Sequence, residues 1–348
     1  MSDDADVGGA DLLGARALRE WLTGEREAFS RVFLVESGAA VEAVREVVAP
    51  DDVMLLPASS PPDGGPAAVA RYTGELRAVG DELFFGERGV ELQDYVAAAF
   101  VQIIGPTAIR FFDAAGWRAF LDDADLARRT GVFPTALIDP RVLLADRSAL
   151  EKPGEVVTPS AVRVAADGSV SVGVQGEVIG TVDDLSAALD TPLPRSTALG
   201  EVAPRHEVAA ESARLAGIRR YLSATDLMKM LHLVNGDARI AGFGWAPIDD
   251  RLADAEPLTA DPFLLDTADG LMLADTGTLR RQLLTPLTAT VVAATQTSST
   301  LELAAQRLAR ELGTPVSHAS ALCLEAVAAL GVHFGERTSG DPTTGVNG

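Results

Sequence analysis

The side chains able to do chemistry in this 348-residue chain are few and far apart. Four histidines, His206, His232, His318 and His333, are scattered along it, and none has a second His or Cys at the spacing of a zinc ligand set. The single cysteine, Cys323, sits in the apolar helical context ALCLEAVAAL. That excludes an internal disulfide and a cysteine-rich metal site, and it reads as a buried small apolar residue. The acidic pairs Asp122-Asp123 and Asp249-Asp250 carry oxygens suited to a hard cation, but such pairs are far more often solvated helix ends or loops. No metal and no cofactor are expected.

Catalytic signatures are equally absent from the sequence: no G-x-S-x-G elbow, no phosphate-binding P-loop, no H-E-x-x-H. The first strand-to-helix junction, ESGAAVEAV, holds one glycine where a dinucleotide fingerprint needs three. The formal charge of -21 repels phosphate backbones, and no run of Lys or Arg offsets it, so nucleic acid is not an expected partner. No apolar run approaches the roughly 20 residues that span a bilayer, so no membrane partner is expected either. MSDDADVGGADLLG lacks the basic start of a secretory signal, and a cytoplasmic protein is expected.

With 47% hydrophobic residues, the chain can build two or three cores. RVFLVES (31–37) reads as a strand, the segment after Gly38 as a helix through Val41, Val44 and Val48, and VMLLPA as a second strand. This β-α-β start predicts an α/β or α+β N-terminal region. Strand-like segments around RYTGELRAV and ELFFGE, a strand TAIRFF and an amphipathic helix over 114–129 with Trp117, Phe120 and Leu121 on one side continue it. From Val156 to Val182 the period changes to two around the turn Asp167-Gly168, giving a β-rich end to a domain over 15–189. Residues 190–205, with three prolines and no periodicity, read as a linker. A helical connecting region over 206–261 follows, with helices in HEVAAESARLAGIRRYL and ATDLMKMLHLV, and the polar tail 335–348 reads as disordered.

Residues 262–334 carry local signals that all agree. Strands are predicted at Phe263 to Asp266, Leu271 to Ala274 and Leu279 to Leu284, separated by turns at Asp269-Gly270 and Asp275-Thr276-Gly277. Thr285-Pro286 starts a helix, with threonine as cap and proline where its missing N–H costs nothing. Ser298 or Ser299 is expected to cap the next helix, which Gly313 ends, and a third helix follows Pro315 and Ser317. The order is β-β-β-α-α-α, winged-helix-like with its strands first.

The turn-bounded hairpin, the strand running into Thr-Pro (LLTPLTATVV), the Thr300–Ala305 opening TLELAA and the third apolar helix resemble the RiPP recognition element, a PqqD-like leader-binding module. The resemblance covers about the last quarter of the chain. It implies that the module binds the leader of a ribosomally made precursor peptide and presents it to modifying enzymes. The acidic chain with the element at its C-terminus further resembles the recognition proteins of daptide biosynthesis, which implies an oxidative decarboxylase as the partner enzyme. The N-terminal two thirds match no motif residue by residue.

Physically, the third strand of such a module is an edge where an extended peptide can pair. The residues expected to touch it are Leu279, Arg280, Arg281, Gln282, Leu283 and Leu284 on the strand, and Ala319, Leu322, Cys323 and Ala326 on the third helix. Residues 262–334 hold four basic and six acidic side chains, so nearly all of the negative charge lies elsewhere. One of Arg280 and Arg281 should face the groove and meet a leader carboxylate. The expected role is recognition without catalysis. The alternatives are an enzyme fused to a recognition element, such as a nucleotide-dependent activating enzyme, and a winged-helix DNA-binding regulator, which the absence of Lys and Arg from Ser317 to Leu330 disfavours.

Overall fold

The computed structural model describes residues 3–62, 64–203, 207–208, 211, 217–248 and 250–337, with backbone alone for 3–10. His206, Asp249, the end of the expected linker, much of the helix expected from His206 and the tail beyond Arg337 lie outside the described residues. The chain divides into two units, residues 1–123 with 134–219 and residues 124–133 with 220–348. It is a mixed α/β protein.

Helix α1 (Asp3–Thr23), which the sequence pattern did not announce, is the centre of the first unit. Its strands are β1 (Val32–Val35), β2 (Val53–Pro57), β3 (Ala68–Gly74), β4 (Glu82–Phe85), β5 (Arg88–Asp94), β6 (Thr107–Arg110), β7 (Val142–Leu144), β8 (Val156–Val157), β9 (Ala161–Val164), β10 (Ser169–Val172), β11 (Val178–Thr181) and β12 (Leu193–Pro194). Among the described residues, ten of these form one mixed sheet in the order β11-β10-β9-β1-β2-β3-β4-β5-β6-β7, while β8 pairs with β12. The sheet curls around α1, which touches β1, β2, β3, β4, β7 and β9. The bend falls at β3: Ala68–Tyr72 pair in parallel with β2, and Thr73–Gly74 pair antiparallel with β4.

Strand alternation fills two cores at once. Val32 and Leu34 face α1, where Ala17, Leu18, Trp21 and Leu22 meet Leu55, Tyr72, Leu83 and Phe85. Phe33 and Val35 face the other way, onto helices α2 (Val41–Arg45) and α5 (Leu185–Asp190) through Val41, Val44, Leu185 and Leu189. A central parallel strand buried on both faces accounts for the unbroken apolar run VFLV. Gly14 lets α1 approach β4, since a Cβ there would stand 2.3 Å from the Phe85 ring. Trp21 is fully buried and its indole N–H donates to Val162 O at 3.0 Å.

Helix α3 (Ala114–Thr130) contributes to both units. In the first, its Trp117 and Phe120 stack with each other and meet Phe111 and Tyr95. The turn Asp167-Gly168 does join β9 to β10, with Gly168 at φ 84. The expected linker is packed structure in its described part: β12 and the turn Arg195–Leu199 lie there, and Ser196, Thr197, Leu199, Val202 and Ala203 are buried. Its prolines break periodicity, but Pro194 simply adopts the extended backbone that β12 uses.

Asp146, after β7 and before α4 (Arg147–Glu151), is buried in a left-handed conformation (φ 51). Its carboxylate accepts the amides of Val174 (3.0 Å) and Gln175 (3.2 Å). Burial pushes it up to about 7, against the pull of those amides, Arg110 and Arg163.

In the second unit, helix α6 (Ile218–Leu231) is one continuous element across the end of one expected helix and most of the next. It precedes a five-stranded sheet, β14-β13-β15-β16-β17, formed by β13 (Ala238–Ala241), β14 (Gly244–Trp245), β15 (Phe263–Thr267), β16 (Gly270–Asp275) and β17 (Arg280–Leu283). Strands β13 and β14 lie within the region expected to be helical only. Helices α7 (Pro286–Gln296), α8 (Leu301–Leu312) and α9 (Val316–Leu330) follow and close a core with Leu264 and Leu273. Thr285 caps α7 as expected. Thr300, not Ser298 or Ser299, caps α8, because Ser299 is engaged by Asp254 and Ser298 by Ala294 O. Arg307, 2% exposed, grips Asp250 with two bonds of 2.9 and 3.0 Å and reaches Thr297 and Ser298, tying α8 to the end of α7.

Trp21→Ala should destabilise the protein by about 3–5 kcal/mol, while Trp21→Phe, which removes the indole bond to the Val162 carbonyl but leaves that carbonyl in the β1–β9 ladder, should cost about 0.5–1.5 kcal/mol. Urea denaturation followed by circular dichroism measures both; a Trp21→Phe variant as stable as the wild type would show that the hydrogen bond contributes nothing. For Asp146 the folded chain holds a proton up to about 7 that the unfolded chain releases near 3.8. The folded state binds more protons in that window, so this residue's contribution to stability declines as pH rises through it and levels off above. In Asp146→Asn the decline should flatten; a stability difference from wild type that stays constant across that pH range would refute the assignment.

Candidate functional site

Strand β17 is the outer strand of its sheet, and all four of its residues are exposed. The turn before it is built by Asp275, whose carboxylate accepts the Gly277 amide (2.8 Å) and the Thr278 hydroxyl (2.6 Å). Burial works to raise this carboxyl, but bonds from Thr278 and Gly277, with Arg280 nearby, outweigh it and hold the pKa below the ordinary value. Leu279 enters the strand in a left-handed conformation, φ 57, and is 70% exposed.

Register decides what the edge offers. Leu284 N donates to Leu271 O at 2.8 Å, and the partners Leu273↔Gln282 and Asp275↔Arg280 continue that alternation. Residues 280, 282 and 284 therefore spend their main-chain groups on β16. Arg281 and Leu283 point their N–H and C=O groups off the free edge. The side chains divide the opposite way: Arg280 and Gln282 lie on the Leu273 face, toward the helical core, while Arg281 and Leu283 lie on the other face. Neither arginine has an ion-pair partner among the described residues.

Beside the edge runs a groove of about 540 Å³ lined by Arg280, Arg281 and Gln282 on one side and Ala328, Ala329 and Leu330 on the other. Pro262, Leu273 and Asp275 complete its wall. The structure thus brings Arg280, Arg281 and Gln282 together with α9, though at the C-terminal end of the helix. Leu279 and Leu283 sit exposed on the edge, and Leu284 and Leu322 are half-buried against the helical core.

Ala319, Cys323 and Ala326 require correction, because all three are buried. Their spacing of four and three makes one stripe, and that stripe packs onto α7 and α8 instead of facing a groove. Cys323 is fully enclosed, with its thiol pushed up by burial despite a bond with Thr295. The groove uses the adjacent face, where Ala328 and Ala329 leave room because they are small. Two consecutive exposed alanines before Gly331 are the signal that the apolar-face reading overlooked.

Among the described residues, no group of three or more His, Cys, Asp or Glu is placed to hold a metal ion, and no helix is long and apolar enough to cross a membrane. His333 Nδ1 lies 2.6 Å from buried Asp261, a carboxylate that also accepts from Gln296.

The edge geometry separates two substitutions of neighbouring residues. Leu283→Pro removes an N–H that β17 does not use, and should leave stability within about 1 kcal/mol, whereas Gln282→Pro strands the Leu273 carbonyl and should cost about 1–3 kcal/mol or more. Thermal unfolding of the two variants checks the register; a more damaging Leu283→Pro would reverse it. No protein-family model, no curated protein and no solved structure matches this chain.

Proposed function

We propose that residues 262–334 act as a RiPP recognition element, and that the chain is a non-catalytic recognition subunit that binds the leader of a ribosomally made precursor and presents it to a modifying enzyme. The observation that supports this most is the open β17 edge beside its groove, with the main-chain groups of Arg281 and Leu283 turned outward. An extended leader adds there as a sixth strand of the sheet. Each new backbone bond contributes about 0.5–1.5 kcal/mol, so apolar leader side chains seated on Leu330 and the Ala328-Ala329 face must supply the rest. Arg280, on the groove face and without an ion-pair partner among the described residues, receives a leader carboxylate.

Helix α9 contains no Lys or Arg across Val316–Leu330, which argues against a DNA-reading role for a winged-helix-like module. In this reading the first unit docks the modifying enzyme, for which the oxidative decarboxylase of daptide biosynthesis is the partner that the resemblance implies. An apolar surface made by Val96, Phe100, Val101 and Ile104, with Phe100 86% and Ile104 79% exposed, suits such docking. Tethering then holds the leader at high local concentration near the enzyme.

Fluorescence anisotropy with a labelled leader from a short precursor gene neighbouring this one tests the reading on the full chain. Saturable binding should weaken about tenfold in Leu283→Pro, the loss of about 1.4 kcal/mol, and also in Arg280→Glu, with wild-type circular dichroism retained. Unchanged affinity in both folded variants, or no binding by the wild type, would overturn it.

A further inference from the structure

The first unit holds a cavity of about 580 Å³ at the carboxyl ends of three neighbouring parallel strands, β1, β2 and β3. Its floor comes from the residues that follow those strands: Glu36 and Ser37 after β1, Ala58 and Ser59 after β2, and Glu75 to Arg77 after β3. In open sheets, this end of parallel strands is where ligands collect. The size lies within the range of small-molecule sites.

The lining is unusual in its unfinished polar bonding. Both oxygens of Glu36 are buried and neither accepts a hydrogen bond, although Arg77 Nη2 lies 3.1 Å away and Arg163 Nε 3.7 Å away. Arg163 Nε is likewise buried without an acceptor, while its Nη2 donates to Leu76 O at 2.8 Å. Arg163 is fixed further by the Trp21 ring, 5.3 Å from its guanidinium carbon. Arg77, with its side chain 58% exposed, stands on the rim and is able to swing. A buried carboxylate and a buried guanidinium that leave bonds unmade are costly to fold, and a bound group that completes them recovers that cost.

Two features narrow the ligand. The four lining charges, Glu36 and Glu75 against Arg77 and Arg163, cancel, so a ligand of net charge would leave one charge unbalanced. Leu34, Tyr72, Leu76 and Leu83 supply an apolar wall, and the Tyr72 hydroxyl is already engaged by Val35 O at 2.8 Å, leaving its ring as the contact surface. We propose that this cavity binds a free α-amino acid with an apolar side chain. The ammonium is held by Glu36, the carboxylate by Arg163 and Arg77, and the side chain lies on Tyr72 and the leucines. This site is independent of leader recognition and belongs to the other unit.

The test is saturation-transfer NMR on the full chain with three probes: phenylalanine, phenylalaninamide with the ammonium alone, and N-acetylphenylalanine with the carboxylate alone. Phenylalanine should bind at least tenfold tighter than either single-headed probe. Glu36→Gln and Arg77→Ala, each checked for wild-type circular dichroism, should both lose that preference. Equal or tighter binding of a single-headed probe, no binding of phenylalanine, or an unchanged preference in the folded variants would overturn the assignment. Because the β17 edge is untouched by these substitutions, leader affinity measured alongside reports separately on the recognition reading.

Discussion

Every backbone N–H and C=O in a strand must find a partner or water, and a sheet that does not close always has two edges where this is unmet. The second unit depends on how that constraint is handled. Strand β14 ends one side of the five-stranded sheet with only Gly244–Trp245, too short to template much pairing. On the other side β17 is left fully exposed, with two arginines whose charges discourage self-association. The sheet behind it is firm: Phe263, Leu264 and Leu265 of β15 are buried, and the Arg220 guanidinium sits 3.6 Å from the centre of the Phe263 ring. An open edge on a rigid sheet is a preorganised surface, which is what peptide addition by strand pairing requires.

The first unit meets the same constraint by curvature. The ten-stranded sheet bends at β3 and wraps α1, so that one helix supplies the apolar filling for strands far apart in sequence. Val32, Leu34, Leu55 and Leu83 share that filling with Trp21. The same bend spreads the carboxyl ends of β1, β2 and β3 around a cavity, and Gly74 at φ 86 is required there because a Cβ would stand 2.0 Å from Glu82 O. Packing and cavity thus come from one geometric feature. The buried charges Glu36, Arg163 and Asp146 surround this core, and each relies on partners from distant segments.

Local chemistry was legible wherever neighbours in sequence decide the outcome. The strands β15, β16 and β17, the Thr285-Pro286 helix start, the Gly313 stop and the Asp167-Gly168 hairpin all follow from turn residues and caps acting within a few positions. The N-terminal helix was not legible, because residues 1–10 are rich in Asp and Gly and its stability comes from the sheet that encloses Ala17, Leu18 and Trp21. Strands β13 and β14 were missed because ARIAGFGWA is broken by Gly242 and Gly244 and is held as strand by the pairing of β13 with β15 and of β14 with β13.

For the candidate site, sequence alone determined the identity of the exposed edge residues Leu279 to Leu283, the charge of Arg280-Arg281 and the lack of Lys and Arg on α9. Tertiary structure decided which helix face meets that edge. A stripe such as Ala319, Cys323 and Ala326 says only that one side of a helix is apolar, and both a core and a groove want an apolar side. Packing of α9 against α7 and α8 took that stripe, leaving Ala328 and Ala329 for the groove. Register with β16 likewise assigned Arg280 to the groove face and the main chain of Arg281 and Leu283 to the open edge, since strand alternation fixes relative directions but only a partner strand fixes absolute ones.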